Sequence, residues 1–205
     1  CRDGVVLSPR RAWSIPACVL GVLVLWGWGS CAGAGVSTAS EHSPHLSDPY
    51  WYVNHPCLAQ AGTRYVLSPR ILEALVYVEA SGNPYAVSIN HDGKGHSQGT
   101  LTLTEARRVV LKLWNEGKNF DVGLAQINSQ HAKTYKLNPV VFLDPCINLY
   151  WAAFILRQQV NRFHETWEAV GHYNGSRYVK EYSWKIYNAL HELEPIVRER
   201  QRASR

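Results

Sequence analysis

A chain of 205 residues is long enough for one domain with a real core and too short to expect two. With 46% hydrophobic and 18% charged residues it reads as globular rather than disordered, and its eight Trp and eleven Tyr point to a surface that handles flat or amphipathic ligands such as sugars. The formal charge of +5 sits at the ends: removing residues 1–34 and the four-arginine tail from Arg198 leaves 14 basic and 14 acidic residues, so the body is neutral and a nucleic-acid face is not indicated.

The first segment has the order of a targeting signal. "SPRRAWS" supplies positive charge, and Ile15 to Trp28 is apolar but short for a membrane span. Small residues follow at Ala32, Gly33 and Ala34. Export with cleavage after about Ala34 is expected, which places the mature chain in the periplasm. A lipidated Cys31 and an uncleaved anchor are the alternatives, and only these would bring the chain to a membrane. Removal of residues 1–34 leaves Cys57 and Cys146, an even pair that in an oxidising compartment reads as a disulfide, with two buried thiols as the plainer alternative.

Residues 35–49 are small, polar and proline-bearing, as in a linker. From Tyr50 to Pro195 the pattern is helical. Ser68 and Pro69 form a helix start, followed by an apolar stripe of Ile71, Leu72, Leu75, Val76 and Val78 that ends near Glu79. Turn residues then dominate "INHDGKGHSQG", read as a loop. Thr104 and Glu105 open an amphipathic helix with Ala106, Val109, Val110, Leu113 and Trp114 on one face, stopping near Gly117. A short helix follows with Asp121 as its N-cap, and Asp144 with Pro145 opens the next, faced by Leu149, Ala153, Leu156 and Val160. Trp167 to His172 is a short helical piece. The last helix carries Tyr178, Tyr182, Ile186, Leu190 and Leu193 and ends at Pro195, leaving 196–205 as a basic tail. No run has the period of a strand, so a mostly α fold is expected.

Glu79 is the first residue that asks for a chemical account. A carboxylate continuing an apolar face is costly unless protonated or satisfied. Burial and the negative end of the helix dipole both raise its pKa, which suits a general acid. A capping or ion-paired glutamate is the ordinary alternative.

Four segments occur together: "VEASGNPYAVSIN", "NFDVGLAQIN", "LDPCINLYWAAFIL" and "TWEAVGHYNGS". In order and spacing they resemble the soluble lytic transglycosylase family over about residues 54–194, closest to members attached to type IV secretion and conjugation machines, with type III secretion members nearby. The resemblance implies a single lysozyme-like helical domain, of the goose-type kind, with a glycan cleft. Glu79 would be its catalytic acid. Gly123, Leu124, Gln126 and Asn128 stand in the second motif, where Gln126 would contact glycan and Gly123 leave room for it. Tyr173 and Asn174 match the third motif, whose tyrosine lies against the acid. Cys57 and Cys146 resemble the pair that ties the first helix region to a later one. The sequence departs at Ala80, in place of serine, at Ala125, in place of methionine, and at His172, in place of alanine.

The implied partners are peptidoglycan strands and a secretion or conjugation apparatus. The implied reaction needs no metal or organic cofactor. Hydrolytic glycosidases generally use two carboxylates, whereas one glutamate here favours a substrate-assisted route to a 1,6-anhydro sugar. A hydrolase using Asp92 or Asp121, and a weakly active wall-binding component, stay open. His91 and His96 match no metal spacing well, and turn or capping roles are the ordinary readings of Asp92 and Asp121. Arg107, Arg108 and Lys112 form a small solvated face.

Overall fold

The computed structural model describes residues 47–91, 94–175 and 177–203. The expected signal, most of the linker, and Asp92 lie outside these residues. Helix α1 (Pro56–Tyr65) and α2 (Pro69–Ala80) lead into strands β1 (Val87–His91) and β2 (Lys94–Ser97). Then come α3 (Leu103–Asn115), β3 (Phe120–Val122), β4 (Ile127–Asn128) and α4 (Ser129–Tyr135). A 3₁₀ turn at Pro139–Leu143 precedes α5 (Pro145–Phe163), α6 (Trp167–Gly171) and α7 (Val179–Ala203). The fold is mostly helical, as expected, with one small antiparallel sheet in the order β2-β1-β3-β4.

Helix α5 runs through the core. Leu149, Ala152, Ala153 and Leu156 are buried on it, and the two alanines let neighbouring helices approach closely. Leu58 and Ala61 of α1, which packs on α5, and Leu72, Leu75 and Val76 of α2, which packs chiefly on α7, belong to the same core. Burying each leucine contributes roughly 2 kcal/mol. Asp144 caps α5 by accepting from the Ile147 N–H at 2.8 Å, with Pro145 at the first position. Helix α3 begins at Leu103, one residue before the sequence expectation, because Thr102 and Glu105 close a reciprocal capping box.

Three boundaries differ from the sequence reading. The supposed loop over residues 89–99 contains an antiparallel strand pair, with Ser88 opposite Ser97 and His91 opposite Lys94. The expected short helix is present but starts later, as α4: Asp121, its expected cap, is a strand residue that pairs with Ser88 and Asn128 in the sheet, and Asn128 caps α4 by accepting from Gln130 N at 2.9 Å. Strands of two to five residues carry too few alternations to announce a period, so tertiary pairing decides them. Finally, α7 continues through Pro195. Val197 is buried beyond it, and Arg200 pairs with Asp48, so packing holds the helix past the hydrogen bond that proline removes.

Candidate active site

Glu79 is the penultimate residue of α2, where the helix stops because Ser81 takes a left-handed conformation with φ 49°. The turn beyond it is fixed from outside. Gly82 has φ 78°, and a Cβ there would meet the Pro49 carbonyl at 2.5 Å and the Tyr52 ring at 2.7 Å. The Trp51 indole donates to the Gly82 carbonyl at 2.8 Å. Asn83 then turns the chain toward β1 by accepting from the Tyr85 N–H at 2.9 Å. The segment before α1 therefore holds the end of α2 in place, and with it the half-buried Glu79 carboxyl.

The hydroxyl of Tyr182, from the buried face of α7, donates to Glu79 Oε1. Burial pushes the Glu79 pKa up to about 7; the Tyr182 hydrogen bond pulls it down, Asp121 raises it and Lys185 lowers it. Desolvation dominates, so the carboxyl holds a proton near neutrality. The Tyr182 hydroxyl is itself pushed well above the ordinary phenol range, first by burial and then by the Glu79 charge, so it stays a donor.

Tyr173 stacks on Tyr182 with ring centroids 6.4 Å apart and planes at 14°. Its hydroxyl donates to the Ala125 carbonyl at 2.9 Å. The hydrogen bond to Glu79 thus comes from Tyr182, while Tyr173 feels the Glu79 charge and buttresses the tyrosine that touches it. Sequence reading placed Tyr182 in the core stripe of the last helix and gave it no chemistry. Nothing in a helical period distinguishes a core tyrosine from one whose hydroxyl meets an acid.

The turn between β3 and β4 is braced by a second residue missing from the sequence expectations. Asn148, fully buried on α5, accepts from Ala125 N at 2.8 Å and donates to the carbonyls of Val122 (2.9 Å) and Phe142 (2.8 Å). Its signal was present as a lone amide inside the apolar run "CINLYWAAF". Gly123, with φ 82°, gives this amide its space, since a Cβ would collide with Asn148 and the Phe142 carbonyl. The glycine is thus required by internal packing, a reason separate from room for glycan.

Gln126 also lies at positive φ, 46°, and its amide donates to Gly123 O at 2.9 Å and Ala86 O at 3.3 Å. Asn128 is engaged within the fold, donating to Asn119 Oδ1 at 2.8 Å and Asp121 Oδ1 at 2.7 Å besides capping α4. Asp121 is half-buried, with its other oxygen accepting from Asn90 at 2.7 Å. Burial raises its pKa against the pull of both amides. Asn174 is exposed after α6, while His172 stacks on Phe163 at 4.0 Å. Ala125 is fully buried.

Cys57 on α1 and Cys146 on α5 are joined as a disulfide with Cα atoms 5.3 Å apart. His55 lies beside them, within 4.8 Å of both sulfurs, but the sulfurs are bonded to each other and are not thiolate ligands. His91 and His96 fall on neighbouring strands, each opposite another residue in register.

The family described as the transglycosylase SLT domain matches residues 56–189. The chain is 26% identical over 159 residues to a peptidoglycan-binding-like protein of Escherichia coli O157:H7, covering 70% of this chain and 83% of that one. It is 28% identical over 151 residues to invasion protein IagB of Salmonella typhi, covering 67% and 78%. With type IV secretion system protein virB1 of Brucella abortus biovar 1 it shares 31% over 96 residues, which is 47% of this chain and 40% of that protein. A family match across more than half of the sequence, on a mostly helical lysozyme-like fold, places this chain in the transglycosylase SLT domain family, that of the lytic transglycosylases.

Proposed function

We propose that this protein cleaves the β-1,4 bond between MurNAc and GlcNAc in peptidoglycan, with Glu79 as general acid and then base. Glu79 protonates the bridging oxygen as the bond to MurNAc C1 breaks. The resulting carboxylate then takes the proton from the MurNAc C6 hydroxyl, whose oxygen closes on C1. One proton leaves and returns, no water is consumed, and the product ends in 1,6-anhydroMurNAc.

The observation that carries this reading is a half-buried carboxyl at a helix end, held by Tyr182 and poised at about pH 7. A hydrolase would need a second carboxylate to activate water or attack. Both oxygens of Asp121 already accept from Asn90 and Asn128, which favours an electrostatic role for it over service as a base. In this reading the turn bearing Gln126 shapes the approach to Glu79, with Tyr173 supporting Tyr182 from the buried side. The names of the relatives, an invasion protein and a type IV secretion protein, support work outside the cytoplasm, opening the wall for such an apparatus. Among the described residues no helix is long and apolar enough to cross a membrane.

The test is mass spectrometry of muropeptides released from purified peptidoglycan by the chain and by Glu79→Gln. Anhydro ends from the parent and none from the variant are expected. Reducing ends would reassign the chemistry to a hydrolase.

A further inference from the structure

Away from Glu79, helices α6 and α7 enclose a groove of about 650 Å³, a volume within the range of small-ligand sites. Its walls are aromatic and exposed: Trp184 is 62% accessible, Trp167 44% and Tyr187 36%. Trp184 and Tyr187 lie nearly parallel, with centroids 5.0 Å apart, and Trp167 meets the Tyr187 ring edge-on at 5.6 Å. Trp184 is thus stacked on Tyr187, with Trp167 set across the pair. Exposed aromatics gathered in this way mark a contact surface rather than scatter.

The groove is built in advance. The Ser183 hydroxyl bridges the Trp167 and Val179 carbonyls at 2.6 and 2.9 Å, fastening α6 to α7. Gly171 permits that approach, because a Cβ would collide with Val179 and Ser183. The rim carries an acceptor, Glu168, and a donor, Lys180, both exposed.

We infer that this groove is a second carbohydrate site, which takes a pyranose ring of the glycan polymer face-on against Trp184, with Trp167 closing the groove at an angle to it. The inference rests on the proposed peptidoglycan substrate. The occupant follows from size and chemistry. Eight residues line the groove, far fewer than the roughly 20 to 30 a side of a stable protein interface. A pyranoside presents an apolar C–H face to rings and hydroxyls at its edge to groups of both kinds, which Glu168 and Lys180 supply. A rim of mixed charge does not favour a polyanion.

Tyr182, Ile186, Ala189 and Leu193 form the buried face of α7, whereas Lys180, Trp184 and Tyr187 are exposed on its other side. The groove is thus a separate foothold and not an extension of the Glu79 cleft. A second contact on a polymer raises the effective concentration at the first.

Binding is tested without cutting, on Glu79→Gln, by cosedimentation with insoluble peptidoglycan. Adding Trp184→Ala and Tyr187→Ala is expected to weaken binding about tenfold. In the active background the same pair should slow digestion of intact sacculi and leave turnover of short soluble glycans unchanged. Equal cosedimentation with and without the aromatic pair would overturn the site. So would equal losses on soluble and insoluble substrate, or a dimer in sedimentation velocity that the pair abolishes, which assigns the groove to a second copy. Trp184→Ala alone, at a largely exposed position, serves if the double substitution folds poorly. Muropeptide release by the parent reports separately on the Glu79 chemistry, so failure of one reading is distinguishable from failure of the other.

Discussion

Glu79 is held where its charge is costly, and that cost has a sign that can be read in stability. Its folded-state pKa of about 7 lies above the ordinary 4.5, so between those values the native protein keeps a proton that the unfolded chain releases. Native stability therefore falls as pH rises through this window, and the penalty is complete above it. The shift corresponds to roughly 3 kcal/mol at most. Glu79→Gln removes the titrating group, so the variant should melt above the parent, by a margin that grows from pH 4.5 to 7 and then levels. A margin independent of pH, measured by calorimetry, would show that the carboxyl is not displaced. Tyr182 acts on the same group in the opposite direction, since its hydrogen bond lowers the Glu79 pKa. Tyr182→Phe should move the alkaline limb of the pH–rate profile to higher pH. It should also lower kcat by about one to two orders of magnitude through lost orientation. A fall in kcat with an unmoved limb would restrict Tyr182 to packing.

At the scale of elements, what was legible in the sequence was whatever a local rule determines. Ser68-Pro69 and Asp144-Pro145 mark helix starts that the structure contains, and the stripe ending at Glu79 is helix α2. The sheet was illegible because β3 and β4 hold three and two residues, and their pairing depends on Asn148 reaching from α5 into the turn between them. Asp121 reads as a cap in isolation, since Asp before an apolar run commonly is one; only the register Ser88 to Asp121 to Asn128 turns it into a strand residue facing two amides. The end of α7 misleads for a similar reason. Proline ends a helix locally, but the burial of Val197 and the Arg200–Asp48 pair lie beyond it and outweigh the missing bond. In the site, Glu79 and the motif around Gly123 stand out from the chain, whereas Tyr182 and Asn148 do not. Their roles consist of contacts with residues 103 and 23 positions away.

At the largest scale, among the described residues, the segments before α1 and at the end of α7 are tied together around α2. Asp48 meets Arg200, Arg70 bridges Glu73 and Glu194, and Trp51 holds the Gly82 turn. The disulfide adds a covalent tie between α1 and α5 across 89 residues of sequence. A loop of that length is associated with roughly 4 to 5 kcal/mol in the chain-entropy account, exerted chiefly on the unfolded chain. Cys57→Ser with Cys146→Ser should accordingly lower Tm by on the order of 10 °C. The native site, however, is held by other means: Leu58 and Ala61 keep α1 in the core, and the Trp51 contact does not depend on the sulfurs. Activity on peptidoglycan well below the new Tm should therefore persist, and melting should stay a single transition. An early separate transition with loss of activity would mean that α1 detaches alone and that the end of α2, with Glu79, goes slack with it. That result would make the disulfide part of the scaffold of the active site rather than a restraint on the unfolded chain.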